Sequence, residues 1–128
     1  MRLRELVRKK PITIESGGTV YDVIKVMAVE DIGFIVVTEA GRMVGVLSER
    51  DVIKAIADGK DLNIPVGRVC KRDIITLRAD ATLEEAAAAM GKHRIRHVVV
   101  VDDENNLVGV VSVRDILAEL YSAGPAED

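Results

Sequence analysis

Residues 45–55 read "GVLSERDVIKA", and residues 109–119 read "GVVSVRDILAE". Glycine, two apolar residues, Ser-x-Arg-Asp and a further apolar pair recur in the same order at a spacing of 64. Self-similarity at a fixed period marks an internal repeat. Upstream the match continues at a shift of 63. Ile12-Thr13-Ile14 meets Ile75-Thr76-Leu77, Thr19 meets Thr82, Met27 meets Met90, and Phe34-Ile35-Val36-Val37 meets His97-Val98-Val99-Val100. The shift becomes 64 where "DDENN" holds one residue more than "EAGR", in a turn, where an insertion costs least. The chain therefore divides into repeats at 1–60 and 61–121, with 57–67 as the connection and 122–128 as a flexible tail.

Each repeat spells the same elements. A short extended piece at Ile12–Ile14 or Ile75–Leu77 comes first. Thr19 then reads as a helix N-cap with Asp22 three residues on, and Thr82 stands likewise before Glu85, the capping-box spacing. Val20, Val23, Ile24, Met27 and Ala28, and then Leu83, Ala86, Ala87 and Met90, follow helical spacing. The β-branched runs "FIVVT" and "MVGVL", then "HVVVV" and "LVGVV", read as hairpins. A last short helix carries Val52, Ile53 and Ile56, or Ile116, Leu117 and Leu120. The order is β-α-β-β-α, twice, an α+β fold. The strand runs are apolar without alternation, as in strands covered on both faces. The two repeats are therefore expected to pack through their sheets with pseudo-twofold symmetry.

Composition removes several function classes. With 48% hydrophobic and 30% charged residues, the 128-residue chain reads as soluble and globular. Its net charge of −3 argues against DNA binding, which leaves a basic footprint. No apolar run approaches the roughly 18 residues that span a bilayer. A single cysteine cannot form an internal disulfide and points to the cytoplasm. No acid–base pair recurs at a catalytic spacing, so the chain does not read as an enzyme.

The ordered series "KRDIITLRADATLEEAAAAMGKHRIRHVVVVDDENNLVGVVSVRDIL", with its weaker partner "KKPITIESGGTVYDVIKVMAVEDIGFIVVTEAGRMVGVLSERDVI", resembles the cystathionine-β-synthase (CBS) domain. Such domains occur in tandem pairs called Bateman modules. The likeness covers residues from about 5 to 120, so the chain resembles a stand-alone pair. The resemblance implies a regulatory module that binds an adenosine compound in clefts between repeats and forms a homodimer. AMP, ADP or ATP is the implied ligand, with NAD or S-adenosylmethionine as further members of the class, and an unknown regulated protein as partner.

Two readings apply to the quoted motif. A serine N-cap with an acid at the third helical position needs no ligand. The same strand-to-helix turn also offers N–H groups to a phosphate, and its carboxylate can accept from two ribose hydroxyls. The resemblance assigns Asp51 and Asp115 to ribose and places Ser48 and Ser112 near phosphate, with Arg50 and Arg114 counted among the binding candidates. It also places Thr13, Thr76, Ile12 and Ile75 at the adenine end, although Thr is equally a plain strand residue. "KHRIRH" at 92–97 is the most basic stretch and is matched by "VEDIGF" in the other repeat. It reads either as a solvated helix end or as a phosphate clamp through Arg96 and His97. That asymmetry makes the Asp115 site the expected tighter anion site. His93 and His97 stand four apart, but the helix should end near Arg94, so no metal site is read there. Cys70 matches Val7 and reads as core. A ligand-independent dimerisation or interaction scaffold is the alternative function.

Overall fold

The computed structural model describes residues 1–7 and 10–121. The strands are β1 (Thr13–Glu15), β2 (Phe34–Glu39), β3 (Arg42–Ser48), β4 (Thr76–Arg78), β5 (His97–Val101) and β6 (Leu107–Ser112). The helices are α1 (Val20–Glu30), α2 (Glu49–Ala57), α3 (Leu83–His93) and α4 (Val113–Tyr121). β1, β2 and β3 form one three-stranded sheet, and β4, β5 and β6 form the other. In each, the first strand runs parallel to the second and the third antiparallel to it. The repeat extends to the irregularities: the register shifts between Val37 and Thr38 in one sheet and between Val100 and Val101 in the other.

The caps form as their spacing dictates. Thr19 Oγ1 accepts from the Asp22 N–H at 3.0 Å while the Asp22 carboxylate accepts from Thr19 N–H at 3.0 Å. Thr82 and Glu85 make the same reciprocal pair. Both helices end at matching residues, Asp31 and Arg94, each with φ 55° in the left-handed region. The shorter turn closes β2 to β3 through Ala40 and Gly41, both at positive φ, whereas the longer one uses Asn105 at φ 68°.

The chain forms two compact units, Pro11–Ile74 and Met1–Lys10 with Ile75–Asp128. They are called here the Asp51 unit and the Asp115 unit. A division at residue 60 follows the sequence repeat but not these units. Each unit is closed by the segment that precedes the other repeat in the chain. In the Asp115 unit, Leu3 N–H donates to Ala81 O at 2.9 Å and Leu83 N–H to Met1 O at 3.0 Å. In the Asp51 unit, Val66 N–H donates to Gly18 O at 2.7 Å and Val20 N–H to Ile64 O at 3.1 Å. Leu3 and Val66 are both fully buried. The expected tail at 122–128 lies outside the described residues.

Each core is aliphatic. Val20, Val23, Ile35, Val37, Leu47, Val52 and Val66 cluster in the Asp51 unit. Leu3, Leu6, Leu83, Ala86, Met90, Val98, Val100, Val111 and Ile116 cluster in the Asp115 unit. Val36 and Val99 alternate out of these clusters and are nevertheless buried, which is why their strands carry no polar residue there. The helical stripes are wider in sequence than in the cores: Ala28 and Ala87 are exposed. So are Ile53, Ile56, Leu117 and Leu120. Among the described residues no helix is long and apolar enough to cross a membrane.

Candidate functional site

In the Asp51 unit, β3 ends at Ser48 in extended conformation, with φ −102° and ψ 165°, and α2 begins at the next residue. Ser48 Oγ accepts from the Asp51 N–H at 3.2 Å. Asp51 Oδ2 accepts from both the N–H and the hydroxyl of Ser48, each at 2.9 Å. Glu49 N–H donates to Gly33 O at 2.9 Å. The cap reading of the motif thus holds in full, and the serine hydroxyl is engaged within it. Asp51 Oδ1 turns the other way and meets Lys71 Nζ at 3.4 Å. The Asp51 side chain is only 12% exposed. Lys71 is held there by its backbone, which exchanges two 2.8 Å hydrogen bonds with Val46 on β3.

That close approach explains Gly45. A Cβ on it would lie 2.8 Å from Lys71 O and 2.5 Å from Cys70 Sγ. A Cβ on the matching Gly109 would run into the side chain of Val7, the residue that matches Cys70. Cys70 is half-buried against its unit's apolar cluster, as its repeat position predicts.

In the Asp115 unit the same turn joins β6 to α4. Asp115 Oδ2 accepts from Ser112 N–H at 2.8 Å, and Ser112 Oγ accepts from Asp115 N–H at 3.1 Å. Here the carboxylate is exposed. The β5–β6 register sets His97 directly opposite Ser112. Arg96 O accepts from Val113 N–H at 2.8 Å, so Arg96, His97, Ser112, Arg114 and Asp115 converge at one end of the sheet. Arg96 and Arg114 are exposed and His97 is half-buried. The Asp51 unit has Gly33 and Phe34 where this unit has Arg96 and His97, with Phe34 opposite Ser48.

The first strand of each sheet starts at that same end. Ile12 O accepts from Val36 N–H and Ile75 O from Val99 N–H. Thr13 and Thr76 register with those valines. Both threonines are exposed, whereas Ile12 and Ile75 pack partly into their units' cores. β1 and β3 are separated by β2, about 10 Å or two strand spacings. Arg50 is exposed on the first turn of α2. His93 ends α3 while His97 opens β5, so the two histidines do not share a helix face. Among the described residues no group of three His, Cys, Asp or Glu could hold a metal ion. Lys71 escaped the sequence reading. Its signal was a basic residue at one repeat position, Arg8 in one half and Lys71 in the other.

Known proteins place this geometry in a family. The model of the CBS domain matches residues 3–58 and again 66–122. The CBS domain-containing protein YhcV of Bacillus subtilis (strain 168) is 30% identical over 121 residues, covering 94% of this chain and 86% of that protein. The CBS domain protein PAE2072 from Pyrobaculum aerophilum, solved complexed with AMP, superposes with a TM-score of 0.87 at 36% identity. The match covers 96% of this chain and all of that one. The CBS domain pair of protein MJ0100, solved with 5′-methylthioadenosine and S-adenosyl-L-methionine, gives a TM-score of 0.85 at 26% identity, covering 95% and 96%. Other curated relatives are longer, and the chain spans less than half of their length. The chain, with the domain model matched once in each repeat, belongs to the CBS domain family.

Proposed function

We propose that this chain is a regulatory module that binds an adenosine compound, AMP, ADP or ATP before NAD or S-adenosylmethionine, and passes the bound state to a partner protein. The observation that carries the reading is the duplicated strand-to-helix turn. In both copies Oδ2 of the third helical residue is used by the cap, so Oδ1 is the oxygen a ribose diol would engage. The first strand supplies apolar side chains and backbone at the same sheet end, as suits a purine. Arg96 and His97 supply cationic or donor groups for phosphate in the Asp115 unit. A similar protein solved with AMP supports this choice of ligand class. The reading is regulatory rather than catalytic, and the single cysteine suits the cytoplasm. The bound compound acts by favouring one arrangement of the chain over another, the only way binding can shift an equilibrium.

A thermal-shift panel with these five compounds tests it. At a hundred times Kd, one bound ligand adds about 2.7 kcal/mol to the folded state and raises the melting temperature by several degrees. Combining Asp51→Ala with Asp115→Ala should abolish the response in a chain that still melts cooperatively. Absence of a shift with every compound at millimolar concentration overturns the reading.

One observation favours a second reading. Ile53 and Ile56 on α2, and Leu117 and Leu120 on α4, are 50–63% exposed at matching positions. A homodimer built on these helices would need no ligand. Sedimentation distinguishes the two: a scaffold self-associates identically with and without nucleotide, and Asp115→Ala leaves it unchanged.

A further inference from the structure

The two oxygens of Asp51 stand in different surroundings. Oδ2 is taken by the Ser48 N–H and hydroxyl, both at 2.9 Å. Oδ1 faces the Lys71 ammonium at 3.4 Å. The carboxylate is 12% exposed, yet the lysine is 63% exposed. The lysine backbone is pinned to Val46, so its side chain can leave Oδ1 by rotation into water without disturbing the sheet. Lys71 therefore covers the oxygen that a ribose diol would use.

We propose that Lys71 makes the Asp51 site select its ligand by charge, admitting anionic adenosine nucleotides and disfavouring the uncharged nucleoside. The proposal rests on the reading of Asp51 as the ribose anchor. A ribose that takes Oδ1 displaces the ammonium. An uncharged nucleoside leaves that ammonium without a partner. A nucleotide supplies one, because its phosphate accepts charge-assisted hydrogen bonds from an ammonium carrying three donors. The same lysine thus competes with adenosine and assists AMP. The Asp115 unit has Arg96 and His97 at its turn instead, and the displacement of Lys71 is a property of the Asp51 site. By repeat position the residue matching Lys71 is Arg8, which lies outside the described residues.

Isothermal titration of the full chain carrying Asp115→Ala isolates the Asp51 site, with AMP and adenosine as probes. Lys71→Gln should weaken AMP about tenfold, the loss of one charge-assisted contact. It should tighten adenosine about two- to fivefold, the release of an ion pair whose lysine is exposed. Lys71→Arg should keep the preference for AMP. Changes of the same sign for both probes, or no change in either, overturn the proposal while leaving the ribose anchor standing. If the Lys71 chain binds neither probe, the anchor itself fails and the proposal falls with it. Should Asp115→Ala not fold, the AMP-to-adenosine affinity ratio is compared between Lys71 and Lys71→Gln in chains with Asp115 intact. An unchanged ratio there is equally fatal.

Discussion

The Asp51 turn and the Asp115 turn share a backbone and differ in their neighbours. Both close a Ser-to-acid capping pair, and both lock the first helical N–H onto a carbonyl at the start of the adjacent strand. One carboxylate is nearly covered and faces Lys71, whereas the other is exposed, at the sheet end where Arg96 precedes β5 and His97 begins it. The cap is a structural device that either helix needs, so duplication preserves it. The cations come from elsewhere: the segment closing the unit in one case, the start of β5 in the other. At the start of β5 the copies have diverged, Arg96 and His97 standing where the other repeat has Gly33 and Phe34, whereas the Lys71 position is basic in both halves. Two sites on one plan can thus differ in ligand preference without differing in architecture.

The equivalence of the two closures can be broken at its most buried points. Leu3 and Val66 occupy matching positions, fully buried, in the segments that close the units. Leu3→Ala should cost about 2–5 kcal/mol in urea unfolding, the range for emptying a buried leucine site. Val66→Ala should cost less, because a smaller side chain is removed. A Leu3→Ala loss under about 1 kcal/mol would mean that the Asp115 unit does not depend on its closing segment as its partner unit does. Gly45 and Gly109 come next. Alanine at either position forces a Cβ into the closing segment, an overpacking cost of about 1–3 kcal/mol. Gly45→Ala should be the worse of the pair. Its Cβ meets a carbonyl oxygen, Lys71 O at 2.8 Å, while Gly109→Ala meets the Val7 side chain, which can yield. Equal losses in thermal melts would erase that distinction.

Local spacing made the caps and strands legible. Thr19 and Asp22, or Ser48 and Asp51, are three residues apart, and the geometry that joins them is set within one helical turn. The unbroken apolar runs of β2 and β5 announced strands covered on both faces, and Val36 and Val99 are buried accordingly. The exchange of closing segments left no such trace. Leu3–Glu5 and Val66–Arg68 each form a single 3₁₀ turn, too short to show a period. Their partners also lie far away in the chain, as with Leu3 and Ala81. Lys71 was hidden for the same reason: its carboxylate partner is twenty residues upstream. The exposure of Ile53 and Leu117 was equally invisible, since an apolar residue on a helix does not reveal whether anything covers it.

The smallest effect separates the units by acid sensitivity. The Thr19 backbone N–H, followed by the Thr19 hydroxyl and Lys25, holds the Asp22 carboxyl below its ordinary range. In the other unit the Thr82 N–H and hydroxyl do the same for Glu85, and the Asn106 N–H leads in lowering Asp102. A carboxyl whose folded value is depressed adds stability at pH above its unfolded value, and that contribution is lost as pH falls through the folded one. The losses therefore begin near the ordinary carboxylate range, about pH 4, and continue below it. All three groups are at the surface, so each contribution is small. Two of them lie in the Asp115 unit and one in the Asp51 unit, which predicts that the Asp115 unit loosens first on acidification. Amide hydrogen exchange at decreasing pH reads this directly, as earlier loss of protection in β5 and β6 than in β2 and β3. Glu85→Gln combined with Asp102→Asn should flatten the acid response of the Asp115 unit, and Asp22→Asn should do so only in the other. If protection falls together in both sheets and neither set of substitutions changes its pH dependence, these three carboxyls do not set the order in which the units loosen.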